Sequence, residues 1–394
     1  MTLLERLTAP GAKRILALDG GGIRGALTLG FLEEIETLLR KRYGKGEDFR
    51  LSHYFDLIGG TSTGAIIAAG LATGMKVSEL ANHYQNLGGI IFGDRINVFN
   101  INEIKKLLKV MYDATPLETA LKEVFGDIKL GDERIKTGLC VVAKRADKFS
   151  PWFMYNHPNA KYYDDKTDVK TGKIVPGNKH FPLRDIVRAS AAAPTYFLPV
   201  KMDVGDTQKN AVFIDGGVSM HNNPALQLFL MATLKAYGFN WQTGEENLFI
   251  LSLGTGTYTK DLDPDDMMSK NMLSWAASLP DLFMEDATYY NQTLLQLMGR
   301  ALTPVKIDSE LGDLGKEDLL GSKLFTYARY NVLLESEVMK ELNLPQFADE
   351  KTLESLRKMD DADQRESLYK IGQAAAEKYV KAEHFEPKFD PVNL

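Results

Sequence analysis

Tyr54-Phe55-Asp56-Leu57-Ile58-Gly59-Gly60-Thr61-Ser62-Thr63-Gly64 is the stretch on which the fold turns. Its first six residues are mostly apolar and read as a buried strand. Gly60-Thr61-Ser62-Thr63-Gly64 then reads as a sharp turn, and Ala65 to Ala72, small and aliphatic, as a buried helix. The turn matches G-x-S-x-G, which makes mechanical sense only between a strand and a helix. There the serine Oγ stands exposed at the C-terminal end of a sheet, with the positive end of the next helix aimed at it. Glycines two before and two after the serine let neighbouring backbone come close.

The same grammar recurs on both sides. Arg14 to Leu18 is a short strand that runs into Asp19-Gly20-Gly21-Gly22-Ile23-Arg24-Gly25. A helix follows with Leu27, Phe31, Ile35 and Leu38 on one face, Arg40, Lys41 and Arg42 in its last turn, and Gly44 as its stop. Thr115-Pro116-Leu117-Glu118 has the pattern of a capping box opening a helix that ends near Gly126. Val212 to Ile214 is a strand ending at Asp215-Gly216-Gly217. Asn223-Pro224 opens a helix bearing Leu226, Phe229, Leu230 and Leu234. Leu248 to Leu253 is a strand ending in Gly254-Thr255-Gly256.

Strands alternating with helices imply an α/β protein with a mostly parallel sheet covered on both faces. Residues 14–256 are expected to form this core, and residues 257–394 a mainly helical extension packed on it. In that extension Leu353, Leu356 and Met359 fit one short helix, and Leu368, Ile371, Ala375 and Tyr379 another.

The totals narrow the function. The chain has 394 residues, 44% hydrophobic and 25% charged, a globular composition. A net charge of −6 speaks against a nucleic acid polymer as partner. The single cysteine, Cys140, lies in an apolar run that reads as a strand, so no internal disulfide is expected and a buried structural role is favoured. Met1 to Arg14 carries Glu5, Arg6, Lys13 and Arg14 and has no apolar stretch of signal-peptide length, and no run approaches the ~20 apolar residues of a membrane span. The expected location is the cytoplasm, with lipid, if it is the substrate, approached from the water side.

A serine hydroxyl is a weak nucleophile that needs a base and donors for a tetrahedral oxyanion. The glycine run after Asp19 supplies donors, because consecutive glycines can turn successive N–H groups into one concavity, and Arg24 adds a fixed charge. Gly20-x-Gly22-x-x-Gly25 is also the dinucleotide fingerprint, but that site wants an acid at the end of its second strand, where this chain has the serine turn. Among the six histidines, only His221, six residues after Asp215, is a candidate for a triad. Asp215 is the better base: it directly follows an apolar strand, glycines leave it open, and partial desolvation would raise its pKa.

Taken in order, Asp19-Gly-Gly-Gly-Ile-Arg-Gly25, Gly60-Thr-Ser-Thr-Gly64 and Asp215-Gly-Gly217 resemble the patatin-like phospholipase family. Ala189-Ser190-Ala191-Ala192-Ala193-Pro194-Thr195-Tyr196-Phe197 and Leu251-Ser252-Leu253-Gly254-Thr255-Gly256 resemble it too. The similarity covers about Arg14 to Gly256. Asp-Gly-Gly stands where many members have Asp-Gly-Ala. The resemblance implies a three-layer α/β/α fold and a Ser–Asp dyad without histidine. Ser62 would be the nucleophile, Asp215 the base, and Gly20, Gly21 and Gly22 with Arg24 the oxyanion hole. Gly25, Gly60, Gly64, Gly216 and Gly217 complete the motifs. It implies hydrolysis of fatty-acyl esters in phospholipids or other acyl lipids, of phospholipase A or lysophospholipase type, through an acyl-enzyme. Neither metal nor cofactor is implied, and contact with a membrane surface is. Alternatives are a non-lipid carboxylesterase on the same dyad, and a cyclic-nucleotide-activated phospholipase effector of bacterial defence.

Met267 to Met284 is rich in Met, Leu, Trp and Phe. It reads either as a lid or lipid-facing segment or as helix packed in the core, and the core reading is favoured. Trp152 and Phe153 pose the same choice.

Overall fold

Lys13–Leu18 (β1) is buried at every position, and its side chains divide between two cores. Leu16 and Leu18 join one, Ile15 and Ala17 the other, as the two-residue period of a strand requires. A near-continuous apolar strand of this kind belongs in a sheet covered on both faces. In a computed structural model describing residues 1–93, 112–169, 172–194, 196–205, 210–260, 262–317, 319 and 321–391, both covers are present.

The first core contains Gly25–Tyr43 (α1), Thr63–Ala72 (α2), Val77–Gly93 (α3) and Thr115–Phe125 (α4), together with Leu183–Ser190 (α5). The second gathers around Ala225–Thr233 (α6) and the C-terminal half of Met272–Met298 (α7). Glu350–Arg357 (α8) and Arg365–Tyr379 (α9) add to the first. The fold is three layers, α/β/α.

The remaining strands of the large sheet are Leu57–Thr61 (β2), Gly138–Arg145 (β3), Ser150–Tyr155 (β4), Val200–Met202 (β5), Ala211–Asp215 (β6), Leu248–Leu253 (β7), Gly299–Ala301 (β8) and Phe325–Tyr330 (β9). Their order is β8-β9-β7-β1-β2-β3-β6-β5, with β4 on the other edge of β3. Every pairing from β8 to β3 is parallel; those involving β4, β5 and β6 are antiparallel. The stretch read as a helical extension therefore also carries strands: β9 pairs with β7 in the register Tyr327↔Ile250.

Several local expectations are corrected. β2 starts at Leu57 rather than Tyr54, because Phe55 N–H bonds back to Leu51 and holds Leu51–Tyr54 in a helical turn. The capping box at Thr115 does not form. Asp113 accepts from both the backbone and the hydroxyl of Thr115, and Glu118 faces Arg188 at 3.3 Å. The helix expected after Asn223-Pro224 forms as α6, which buries Leu228, Phe229 and Met231 and leaves Leu230 exposed, with Leu234 exposed just past its end. The favoured core reading of Met267 to Met284 also fails: Met268, Met272, Trp275, Leu279, Leu282 and Phe283 all face solvent. Trp152 and Phe153 pack edge-on against Phe213 and His221.

Candidate active site

Two strands meet end to end on one edge of β3. β2 runs along that edge as far as Thr61, opposite Val142. β6 arrives from the other direction and stops at Asp215, opposite Ala143. Consecutive register positions therefore bring the residues just past the two strand ends together. Gly216 has to be small at this junction, since a Cβ there would lie 2.3 Å from the Val142 carbonyl oxygen.

Ser62 sits between β2 and α2 with φ 55 and ψ −123, a backbone conformation rarely tolerated outside glycine. Gly60 and Gly64 make that turn possible. A Cβ on Gly60 would come 2.1 Å from Gly64 O, and one on Gly64 2.3 Å from Leu18 O. The elbow is also tied from outside. Ser190 Oγ accepts the Ser62 N–H at 2.9 Å and donates to Val142 O at 2.6 Å, and Thr61 Oγ1 donates to His221 O at 2.6 Å.

Ser62 Oγ donates to Asp215 Oδ2 at 2.6 Å, and Gly217 N–H donates to Asp215 Oδ1 at 2.7 Å. Asp215 is only 4% exposed. Burial pushes its carboxyl up to about 6, against the opposing pull of those two hydrogen bonds. Such a carboxylate is ionised at neutral pH and more basic than an ordinary aspartate, which suits a general base. His221 plays no part in this contact. Its ring packs on Phe153 at 5.1 Å, and burial lowers its pKa.

The glycine loop lies against the serine: a Cβ on Gly20 would be 3.2 Å from Ser62 Cβ. Its members divide by role. Gly20 N–H is taken by Asn222 O, and Ile23 N–H by Met359 O. Among the described residues, no protein acceptor takes the N–H groups of Gly21 and Gly22, which line the same cavity as Ser62. Arg24 goes elsewhere. Its guanidinium is buried and donates to the Arg357 carbonyl at 3.4 Å, and it does not line the cavity. Gly25 packs against Thr63 and Tyr84, and the Tyr84 hydroxyl donates to Gly22 O.

The base of this loop is held partly by Ser252 and Thr255, inside a block already quoted, and partly by Arg329 and Asn222, which no motif announced. Arg329 on β9 makes a two-pronged contact with Asp19, at 2.7 and 3.3 Å, and donates to Ser252 Oγ at 2.6 Å. Both charges are buried, so each supplies the other's counter-ion. Thr255 and Asn222 both donate to Gly20 O. Ser190 lay inside the alanine-rich block without a role attached. Arg329 gave no signal, since it lies in the stretch expected to be mainly helical.

Ser62 and Asp215 open onto a cavity of about 420 Å³, walled mainly by apolar side chains that include Leu117, Leu121 and Phe125 of α4, Phe197, Met284 and Met359. That size and lining fit a small-molecule or acyl-chain site. Among the described residues, no cluster of three or more His, Cys, Asp or Glu side chains is arranged to hold a metal ion, and no helix is long and apolar enough to cross a membrane.

Comparison with known proteins adds the following. The family model described as patatin-like phospholipase matches residues 16–229, which include Ser62 and Asp215. A cGAMP-activated phospholipase of Escherichia coli (strain TW11681) is 29% identical over 257 residues, covering 65% of this chain and 66% of that protein. A cGAMP-activated phospholipase of Vibrio cholerae serotype O1 is 27% identical over 292 residues, covering 72% and 76%. Patatin-like protein 2 of Arabidopsis thaliana is 32% identical over 287 residues, covering 66% and 64%. The chain thus spans a little under two thirds of the length of the first and third of these proteins and about three quarters of the second.

Proposed function

The chain belongs to the patatin-like phospholipase family, and from that premise we propose that it is a serine lipid acyl hydrolase that cleaves fatty-acyl esters of phospholipids. The observation that carries this reading is the 2.6 Å contact between Ser62 Oγ and the buried Asp215 carboxylate, on the wall of an apolar cavity.

Asp215 takes the Ser62 proton as Oγ attacks the ester carbonyl. The free N–H groups of Gly21 and Gly22 receive the developing oxyanion, and the positive end of α2 favours the same charge. The tetrahedral species collapses, and the departing lysolipid or alcohol takes the proton back from Asp215. The acyl group stays on Ser62, its chain along Leu117, Leu121 and Phe125. Asp215 then deprotonates a water, which attacks the acyl carbonyl, releases the fatty acid and restores Ser62. Arg24 is given a structural role here, because its buried guanidinium donates to the Arg357 carbonyl and does not line the cavity.

Lipid mass spectrometry of phospholipid vesicles incubated with the wild type and with Ser62→Ala tests the proposal. Free fatty acid and lysolipid should appear with the wild type alone. Equal product from the variant would overturn it. A second feature, activation by a cyclic dinucleotide, is favoured by the names of the two bacterial relatives. It is tested by the same assay with and without cGAMP, and an unchanged rate would remove it.

A further inference from the structure

A surface helix normally buries one apolar stripe and shows water a polar one. α7 departs from this along its N-terminal half. Ala287, Asn291 and Leu295 are buried on its packed side, and Met284, on the same side, lines the cavity with Ser62. At about 100° per residue, Met272, Trp275, Leu279, Leu282 and Phe283 fall in one stripe about 100° wide, centred about 130° from that packed side, with Phe283 on its near edge. All five are exposed, Met272 by 82% and Phe283 by 66%. Met268, in the short helix Pro264–Ser269 just upstream, continues the series and is 85% exposed. Single exposed apolar side chains are ordinary, whereas a run of six marks a surface meant to be covered.

Charge and position identify the cover. Residues 262–290 contain six acidic residues and one lysine, Lys270. Asp263, Asp265, Asp266 and Asp286 are exposed around the apolar stripe, and Glu285, also exposed, is paired with Lys260 at 3.4 Å. Lys270 is held beside the patch, donating to Ser278 Oγ with its ammonium 5.5 Å from the Trp275 ring. An acidic rim is repelled by anionic lipid and tolerates a surface of no net charge. Phe283 and Met284 are chain neighbours, one facing solvent and the other the cavity, so the patch borders the route to Ser62.

We propose that the exposed face of α7, from Met272 to Phe283, docks the protein on zwitterionic phospholipid surfaces and admits lipid past Met284 to the nucleophile. This rests on the lipid-hydrolase reading of Ser62. Docking is by apolar insertion, so added anionic lipid weakens it and salt does not abolish it.

The test compares the full chain with Trp275→Ser/Phe283→Ser on two substrates, a water-soluble short-chain ester and phosphatidylcholine vesicles. The double variant should keep the soluble-ester rate within about twofold and lose about tenfold or more on vesicles. Flotation of the Ser62→Ala chain, with and without the two changes, should show binding to phosphatidylcholine that falls with the substitutions. Replacing a third of the lipid by phosphatidylglycerol should also reduce it. Wild-type vesicle hydrolysis by the double variant overturns the proposal. So does tighter binding to anionic vesicles, or a switch from dimer to monomer in the variant with vesicle activity unchanged, which would make the patch a contact between copies. Absence of Ser62-dependent hydrolysis of either substrate in the wild type would instead defeat the underlying catalytic reading.

Discussion

Replacing Asp215 by Asn removes a charge while keeping the shape, and it should make the protein both inactive and more stable. The amide oxygen still accepts from Gly217 N–H at the position of Oδ1, and the amide nitrogen can donate to Ser62 Oγ, which keeps the contact and reverses its polarity. The stability effect follows from the raised carboxyl. Burial pushes Asp215 up to about 6 in the folded protein, against about 3.9 for an ordinary aspartate. Between those pH values the native state keeps a proton that the unfolded chain has released. Stability therefore falls as pH rises through that window and stays lowered above it. At about 1.4 kcal/mol per pKa unit, ionised Asp215 works against the fold by about 3 kcal/mol at pH 8, a burden the Asn variant lacks. With an unfolding entropy of about 2.1 cal/mol/K per residue, the variant should melt about 4 °C higher than the wild type at pH 8, and the gap should close towards pH 4. Its Ser62-dependent kcat/KM should drop by about a thousandfold. The wild-type rate should rise with pH along a limb centred near 6. Calorimetry at several pH values and a pH–rate profile measure both sides. An Asn variant less stable than the wild type at pH 8, or a stability gap that does not depend on pH, would refute the assignment of a strained, buried carboxylate.

Three further changes probe other parts of the site. Gly216→Ala puts a Cβ 2.3 Å from Val142 O. It should cost more than about 2 kcal/mol in chemical denaturation, because neither backbone can easily yield, and ester hydrolysis should be lost with it. Arg329→Ala leaves Asp19 buried without its counter-charge and should lower stability by about 3–5 kcal/mol; adding Asp19→Asn should recover part of that loss. Leu121→Trp narrows the cavity beside α4. On a series of p-nitrophenyl esters, long acyl chains should lose about tenfold relative to butyrate, with short-chain kcat/KM little changed.

Much of this site can be read from local chemistry alone. The strand, the turn around Ser62 and the helix after it are consecutive in the chain, and Gly60 is there because the Gly64 carbonyl of the same turn crowds it, whereas Gly64 is crowded by Leu18 from the neighbouring strand. An acid on an apolar strand end followed by two glycines is equally local, so Asp215 could be nominated before its neighbours were known. The glycine loop was likewise visible as a source of backbone donors, although only packing separates Gly21 and Gly22, whose N–H groups meet no protein acceptor among the described residues, from Gly20, whose N–H is taken. Short-range errors occurred where another partner displaced the expected one, as when Asp113, two residues away, took Thr115 and the distant Arg188 took Glu118 from the expected capping box.

The sequence by itself determined the alternation of strands and helices up to Gly256, the sharp turn at Ser62 and the nomination of Ser62 and Asp215 as candidates, because each depends on residues within a few positions of one another. Only the tertiary structure decided that β2 and β6 stop head to head on β3, that Ser190 holds the elbow, that Arg329 anchors a loop 310 residues away, that Arg24 turns from the cavity, and that the apolar face of α7 is left in water. Those outcomes are set by strand order, register and helix rotation. Each is a sum over long-range contacts that no window of neighbouring residues contains.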